Sequence, residues 1–185
     1  MEFQLLETTR LYLRQITQYD AVDMFEYLSN YTVTRNLGRE PLNSIRESYE
    51  IIANLEYDYN DTRGMRWAMV HKNNNKLIGT IGYDLLDTKN KRAEIGYDLN
   101  QYYWNQGFTT EAISEVIKFG FEQLDINRIS AVVFLENKAS LKLLEKSGFK
   151  KEGILRDYII QDYFPKDVEV LSLLKREYYI ESNNY

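Results

Sequence analysis

The stretch Asn137-Lys138-Ala139-Ser140-Leu141-Lys142-Leu143-Leu144-Glu145-Lys146-Ser147-Gly148-Phe149 carries the strongest fold signal in this chain of 185 residues. It follows a β-branched run over 129–134, which predicts a strand. The Asn137 side chain can cap the helix that follows, and Gly148 can end it. The leucines between them recur at helical spacing, so one face of the helix is apolar. The stretch therefore predicts a strand and then a short helix that packs on a sheet.

A second informative segment, Trp104-Asn105-Gln106-Gly107-Phe108-Thr109-Thr110-Glu111-Ala112, lies one helix and one strand upstream. Gly107 permits a tight turn that bulkier residues resist. Thr109 or Thr110 can cap a helix that begins at Thr110, and the first free N–H groups of that helix would attract an anion such as a pyrophosphate. On this local pattern alone, a capped turn without a ligand is the favoured interpretation, and a phosphate site is the alternative.

The rest of the chain alternates between strand and helix patterns without repeats or linkers. The element order β-α-α-β-β-β-α-β-α-β-β predicts a single α/β domain over 1–185 with a mixed sheet. The helical connection between 92–99 and 128–134 predicts that these two strands lie parallel. Expected strands are 8–16, 66–70, 77–86, 92–99, 128–134, 149–163 and 168–174, and expected helices are 20–28, 43–57, 138–147 and one from Thr110. A polar connection is expected at 29–38, a hairpin turn at 164–167 and a loose tail at 181–185.

Composition excludes several classes of protein. The net charge of −5, from 23 basic and 28 acidic residues, argues against nucleic acid and anionic membranes as partners. There is no cysteine, which excludes disulfides, thiolate metal sites and a cysteine nucleophile, and His71 is the sole histidine. No apolar run is long enough to span a bilayer, and the N-terminus lacks a signal-peptide pattern. These features predict a cytoplasmic protein without a metal.

Three segments in this order resemble the cofactor-binding half, about 92–150, of the GNAT superfamily of N-acetyltransferases, and within it the RimJ/RimL type. The third of them is Arg92-Ala93-Glu94-Ile95-Gly96-Tyr97-Asp98-Leu99. In the family motif Gln/Arg-x-x-Gly-x-Gly/Ala, Gly107 matches the central glycine, and Trp104 and Thr109 take the outer positions. Asn105 stands where RimJ/RimL-type members commonly have a glycine. The resemblance implies a GNAT-like fold: one N-acetyltransferase domain whose central, mostly antiparallel sheet is flanked by helices and split around a coenzyme A cleft.

The same resemblance implies acetyl-CoA as cosubstrate and a set of residues that hold it. The backbone of 95–97 would pair with the pantetheine amides as an added strand, and Gly96 would suit a bulge or a close ligand approach. Backbone amides near Gly107 would hold the pyrophosphate, and Asn137 would contact the pantetheine arm. The implied cofactor contacts are Ile95, Gly96, Tyr97, Trp104, Asn105, Gln106, Gly107, Phe108, Thr109, Thr110, Asn137 and Ser140.

Catalytic roles are carried over in the same way. Glu94 is the candidate for removing the amine's proton, directly or through water, and a merely solvated strand carboxylate is an equal alternative. Ser140 would lie near the thioester sulfur and assist the departing thiolate. Many N-terminal acetyltransferases of the family place a tyrosine acid where this sequence has Leu144, so no tyrosine acid is expected from that position. Donors for the oxyanion would come from a bulged strand near 95–97.

The resulting hypothesis is transfer of an acetyl group from acetyl-CoA to a primary amine by direct attack on the thioester. The acceptor stays open between a protein N-terminal α-amine and a small amine, and the chain could be a monomer or a homodimer. A non-catalytic acyl-CoA-binding or regulatory module is the alternative function. Residues 30–38, Tyr83, Tyr158 and Tyr163 are candidates for the acceptor channel, although a structural role is favoured for each.

Overall fold

A computed structural model describes residues 3–182 of the chain. Its strands are β1 (Leu6–Glu7), β2 (Leu11–Gln15), β3 (Met65–His71), β4 (Lys76–Asp87), β5 (Arg92–Leu99), β6 (Arg128–Phe134), β7 (Lys150–Gln161) and β8 (Phe164–Leu174). Its helices are α1 (Ala21–Leu28), α2 (Tyr31–Thr34), α3 (Ile45–Asn60), α4 (Phe108–Glu122), α5 (Lys138–Lys146) and α6 (Lys175–Ser182). Short 3₁₀ turns at Gln18–Asp20 and Gln101–Tyr103 precede α1 and follow β5.

All of these strands belong to one sheet, in the order β1-β2-β3-β4-β5-β6-β8-β7. Its neighbouring strands are antiparallel except β5 and β6, which lie parallel, as expected for strands joined through α4. Side chains alternate along β3, so Ala68 packs with the apolar cluster under α1 and α3, while Trp67 packs with the cluster under α4 and α5. The expected fold class, a mixed and mostly antiparallel sheet flanked by helices, is confirmed.

The two parallel strands separate soon after they start. Their pairing covers only 92–94 on β5 and 128–130 on β6. Yet β5 continues to Leu99 and β6 continues to Phe134. Residues of both strands beyond the last pair line a cavity between them. The sheet is therefore split at the place where the cleft was expected.

Two connections differ from the predicted elements. Part of the expected polar connection at 29–38 forms α2, because the Asn30 side chain accepts a hydrogen bond from the Thr32 N–H and caps the turn. α4 begins at Phe108, two positions earlier than predicted, and Gly107 is its N-cap residue with φ of 82°. A glycine fits there because it adopts the left-handed conformation at little cost.

The C-terminal elements also differ from the prediction. The last hairpin turns at Asp162 and Tyr163, whose φ values are 53° and 65°, and not at 164–167. Two-residue hairpin turns require this left-handed backbone. Pro165 lies within β8, where β6 does not yet pair with it, because that pairing starts at Val168. The tail prediction is wrong at 181 and 182, which end α6, and residues 183–185 lie outside the described residues.

Candidate active site

Two connected cavities open where β5 and β6 separate. The first, here the carboxylate cavity, has a volume of about 320 Å³, and its lining includes Arg66, Asp84 and Asp98 as well as residues of α1 and α3. The second, here the loop cavity, has a volume of about 350 Å³ and is lined by the turn before α4 and by α5. Tyr97 and Ser140 belong to the walls of both. Together the cavities form one cleft of a size typical of small-molecule sites.

The loop cavity ends at a turn whose backbone N–H groups are free. Asn105 and Gly107 have positive φ values of 59° and 82°. The N–H groups of residues 105–110 donate no hydrogen bond to any residue between 3 and 182. A left-handed turn followed by a helix N-terminus directs such N–H dipoles outward, so this segment suits a pyrophosphate. Asparagine tolerates the left-handed conformation better than most residues, which explains how Asn105 can replace a glycine.

Arg10, just before β2, supports this turn from behind. Its Nε donates to Glu111 over 2.6 Å, and its Nη1 donates to the Gln106 carbonyl over 2.8 Å. Its guanidinium carbon also lies 4.2 Å from the centre of the Phe108 ring. Burial acts to raise the pKa of Glu111, but the hydrogen bonds, that from Arg10 first, outweigh it and lower this pKa. Sequence reasoning missed Arg10 because its carboxylate partner lies 101 positions away.

The N-terminal end of α5 forms the opposite wall. Asn137 Oδ1 accepts a hydrogen bond from the Ser140 N–H over 3.2 Å and caps the helix. The Ser140 and Tyr97 hydroxyl oxygens lie 2.6 Å apart. Burial raises the pKa of Tyr97 to about 12 against the opposing effect of the Ser140 hydrogen bond, so the phenol keeps its proton at neutral pH. Leu144 is fully buried in the core and brings no polar group to the cleft from the tyrosine position of related enzymes.

One arginine holds two carboxylates in the wall of the carboxylate cavity. Arg66 donates to Asp84 and, over 2.9 Å, to Asp98. Asp98 also accepts from the Tyr27 hydroxyl at 2.6 Å, and from the Thr80 N–H and hydroxyl at 2.9 and 2.7 Å. Burial acts to lower the pKa of Arg66, but the charges of Asp84 and Asp98 raise it above its usual value. Asp98 is fully engaged, whereas the Asp84 side chain is 50% exposed.

Glu94 lies on β5, on the same face of the strand as Gly96 and Asp98 because side chains alternate. Burial, and then the negative charge of Asp84, raises the pKa of Glu94 above the usual glutamate value. The Glu94 carboxylate accepts no hydrogen bond and forms no ion pair with the described part of the chain. It does not line either cavity, and Asp84 is the neighbouring carboxylate that does.

The bulge expected at Gly96 lies on the neighbouring strand. β4 is irregular between Tyr83 and Leu85, which leaves Asp84 unpaired, while Gly96 stays in register with Gly82. A Cβ atom on Gly96 would lie 1.9 Å from Asp84 Oδ2, so the glycine is needed for the close approach of this carboxylate. The expected bulge of β5 is therefore wrong, and its exposed backbone instead results from the separation of β5 from β6.

The predicted cofactor residues divide between the two cavities. Ile95 and Gly96 line the carboxylate cavity, and Tyr97, Asn137 and Ser140 line both cavities. All but one of the remaining residues line the loop cavity: Trp104, Asn105, Gly107, Phe108, Thr109 and Thr110. Gln106 lines neither cavity, because its side chain donates to the Tyr102 carbonyl and its own carbonyl accepts from Arg10. The expected capping of α4 by Thr109 or Thr110 is wrong, since both lie inside the helix.

The acceptor-channel candidates are only partly in the cleft. Asn36 and Leu37, from the stretch 30–38, line both cavities. Tyr83 is buried in the core and donates to the Val116 carbonyl over 2.5 Å. Tyr158 and Tyr163 are exposed and line neither cavity. The polar groups that do line the carboxylate cavity come from separate elements, so no local motif marks them.

Comparison with known proteins identifies the class. The chain belongs to the GNAT acetyltransferases, because the family model described as "Acetyltransferase (GNAT) domain" matches residues 10–150. It is 46% identical over 173 residues to the uncharacterized N-acetyltransferase YoaA of Bacillus subtilis (strain 168), covering 94% of this chain and 98% of YoaA. It is 32% identical over 128 residues to YdaF of the same organism, which is provisionally named as a ribosomal N-acetyltransferase, covering 69% of each.

A solved structure of RimL, a ribosomal L7/L12 alpha-N-protein acetyltransferase in complex with coenzyme A, has the same fold. It superposes with a TM-score of 0.85 at 18% identity, covering 92% of this chain and 98% of RimL. The RimJ/RimL-type GNAT resemblance of the sequence is thus confirmed. The chain is an acetyl-CoA-dependent acetyltransferase.

No helix between residues 3 and 182 is both long and apolar enough to cross a membrane. Within the same residues, no three His, Cys, Asp or Glu side chains come together as a metal site would require.

Proposed function

We propose that the acceptor is a primary amine, either a protein N-terminal α-amine or a small amine, and that it enters the carboxylate cavity. The observation that carries this proposal is the joined cleft itself. Free backbone N–H groups lie at one end and the Asp84 carboxylate at the other, and Tyr97, Asp98 and Ser140 line both cavities. The names of YdaF and RimL, which both refer to ribosomal substrates, support the protein N-terminus as one of the two options.

The loop cavity suits the coenzyme A portion of acetyl-CoA, which supplies the acetyl thioester. Residues 105–110 would bind its pyrophosphate through backbone N–H groups. The part of β5 that β6 leaves unpaired, from Ile95 onward, would hydrogen-bond the pantetheine amides, and the Asn137 amide would add a side-chain contact. These contacts would orient the thioester towards the junction of the two cavities, where the amine can reach it.

Glu94 would take the proton of the amine. An alkylamine with a pKa near that of lysine, about 10.4, is mostly protonated at neutral pH and cannot attack until it loses a proton. The Glu94 carboxylate has no counter-charge, and its raised pKa makes it a better base than an exposed glutamate. Asp84 already forms an ion pair with Arg66 and is therefore the weaker candidate. Since Glu94 does not line the cavity, a water molecule would carry the proton to it.

Tyr97 and Ser140 would stabilise the departing thiolate. A serine hydroxyl alone is a poor acid, but here it shares a 2.6 Å hydrogen bond with a phenol that is neutral at physiological pH. Ser140 can donate to the sulfur while it accepts from Tyr97, so the phenol would supply the proton along this pair. The cleft thus contains a tyrosine acid candidate from β5, although none comes from the position of Leu144.

The test is a turnover assay. The protein is incubated with acetyl-CoA and a panel of N-terminal peptides and small amines, and free coenzyme A is measured alongside the mass of the acceptor. We expect acceptor-dependent release of coenzyme A and a mass gain of one acetyl group. Coenzyme A binding without turnover across the whole panel would favour the non-catalytic acyl-CoA-binding module, and absence of any thermal stabilisation by coenzyme A would contradict the assignment of the loop cavity.

A further inference from the structure

A second arginine, Arg39, lines the carboxylate cavity and has no partner there. It lies in the connection between α2 and α3; the residue as a whole is half-buried, but its Nε atom is buried without a hydrogen-bond acceptor among residues 3–182. The rest of its guanidinium makes no hydrogen bond or ion pair with the described residues. Buried polar groups in proteins nearly always have partners, so this donor points to a missing acceptor.

The position of Arg39 is defined by anchored neighbours on both sides. Leu37 N–H donates to the Thr34 carbonyl over 2.8 Å, and Leu42 N–H donates to the Leu28 carbonyl over 2.9 Å. Leu42 is buried in the core under α1 and α3. The backbone on both sides of Arg39 is therefore held in place by hydrogen bonds. In this position its guanidinium lies in the cavity wall without a partner among the described residues.

The protein's own carboxylates do not satisfy Arg39. Asp84 and Asp98, which line the same cavity, are both bound by Arg66. The phosphates of coenzyme A are not suitable partners either, because the N–H groups that suit them lie at the far end of the cleft and Arg39 does not line the loop cavity. The remaining source of an anion is the molecule that occupies the carboxylate cavity.

The charges of the cavity define what that molecule carries. Its charged side chains are Arg39, Arg66, Asp84 and Asp98. The group around Arg66 has one excess negative charge, whereas Arg39 is an unpaired positive charge. We propose that the acceptor carries a carboxylate close to its amine, with the ammonium group drawn to the side of Asp84 and the carboxylate bound by the guanidinium of Arg39. This inference rests on the acetyl-transfer function proposed above and names the class of its substrate.

Two sources would supply this chemistry, and paired substrates distinguish them. One pair is a free α-amino acid and its α-amide. The other is a peptide, amidated at its C-terminus, with aspartate or asparagine at the second position. In each pair the amine is kept and only the carboxylate is removed. We expect kcat/KM to favour the acid in one pair by about 10- to 100-fold, as charge-assisted hydrogen bonds in a cavity do.

The variant Arg39→Gln tests the residue. It should reduce the acid-to-amide ratio to about one by raising KM for the acid, with kcat changed by less than about twofold. Arg39→Lys, which keeps the charge but loses the planar fork, should retain part of the preference. Arg46→Gln is the matched control, because Arg46 lies on the exposed surface of α3 and pairs only with Glu50 there. Coenzyme A affinity and thermal midpoint should be unchanged in Arg39→Gln, which verifies that the variant folds.

The possible failures are distinguishable. Turnover of acids and amides at equal efficiency, a preference for polyamines over both pairs, or a preference that survives Arg39→Gln would each overturn the carboxylate proposal while leaving the acetyltransferase intact. Coenzyme A binding with no acceptor turned over by the wild-type protein would instead count against the proposed reaction, and the proposal about Arg39 would fall with it.

Discussion

The two cavities of the cleft are built in different ways. The loop cavity is lined mainly by two continuous segments, the turn before α4 and the start of α5, together with residues 97–99 of β5 and three residues from α2 and the connection after it. The carboxylate cavity is assembled from residues of α1, α3, β3, β4, β5, β6, α5 and β7 and of the connection after α2. Residues of continuous segments stand together in the sequence, where a family motif can match them, whereas a site built from distant side chains depends on long-range pairing. The comparison shows that most residues proposed to bind the cofactor lie close together in the sequence, whereas those proposed to bind the acceptor come from distant parts of the chain.

The largest effect is expected from Glu94→Gln, next to Asp84 of the carboxylate cavity. If Glu94 takes the proton of the amine, this variant should lower kcat by about a hundredfold or more while coenzyme A affinity stays unchanged. The base acts in its ionised form, so kcat/KM of the wild type should rise as the pH rises through the pKa of Glu94. Because this pKa is raised, the inflection should lie above the ordinary glutamate pKa of about 4.3, and the variant should lose the inflection. Steady-state kinetics over pH measure both.

The control for this variant is Glu145→Gln, on the exposed side of α5. An unchanged kcat in Glu94→Gln would show that Glu94 is not the base. Asp84 would then be the candidate, and Asp84→Asn should lower kcat instead.

Gly107→Ala should give the next largest effect, in the loop cavity. Alanine is disfavoured at the φ of 82° by about 1–2 kcal/mol, and its Cβ would lie 3.3 Å from Arg10. We expect the dissociation constant of coenzyme A to rise about 10- to 30-fold, measured by calorimetry, with little change in KM for the acceptor. Gly153→Ala on β7 is the control, because nothing lies within 4 Å of its added methyl group. Equal affinities of the two variants would show that the turn does not hold the phosphates.

Tyr97→Phe acts at the junction of the two cavities and should have a smaller effect. It removes the hydroxyl that is hydrogen-bonded to Ser140 and keeps the ring. We expect kcat to fall about tenfold and coenzyme A affinity to stay within about twofold, because the hydrogen bond serves the leaving thiolate. The exposed Tyr102 gives a matched control, Tyr102→Phe. A Tyr97→Phe enzyme with full activity would leave Ser140 as the sole donor.

The smallest expected effect is on the free energy of unfolding without a ligand, and it concerns the first turns of α4 and α5. Asn137→Ala removes the side-chain cap of α5 and should lower the free energy of unfolding by about 1 kcal/mol. Thr110→Ala, inside α4, removes no cap and should change it by less than about 0.5 kcal/mol. Urea denaturation measures both. A large loss from Thr110→Ala would mean that threonine caps α4 in solution after all.

Sequence reasoning recovered the fold class, the parallel pair and most of the residues around the loop cavity. The fold followed from strand and helix periodicity, whereas the residues around the loop cavity were implied by the resemblance of 92–99, 104–112 and 137–149 to the GNAT family. It missed Arg10, Arg66 and Asp84, because an isolated arginine or aspartate in a strand pattern does not indicate its partner. The ion pairs between Arg66 and its two aspartates span 18 and 32 positions and exist only once three strands are in register.

Backbone details were missed for a related reason. The sequence predicts a bulge or a close ligand approach at Gly96, on β5, because a glycine in a strand usually marks an irregularity in its own strand. Here the glycine instead gives room to the bulged residue of the neighbour, Asp84. The sequence predicts the last hairpin turn at 164–167, yet Asp162 and Tyr163 form it. Neither outcome can be derived without knowing which residues lie across the strand.

The short pairing between β5 and β6 has a consequence for the cohesion of the molecule. Strands β1–β5 and strands β6–β8 are two blocks of backbone hydrogen bonds, and among the described residues backbone hydrogen bonds connect them only over 91–94 and 127–130. A ligand that forms hydrogen bonds with the facing edges of both β5 and β6 would connect the two blocks. Its binding free energy would then add to the free energy needed to separate them. We expect amide hydrogen exchange beyond Glu94 and Ser130 to slow when coenzyme A binds, and the thermal midpoint to rise with its concentration.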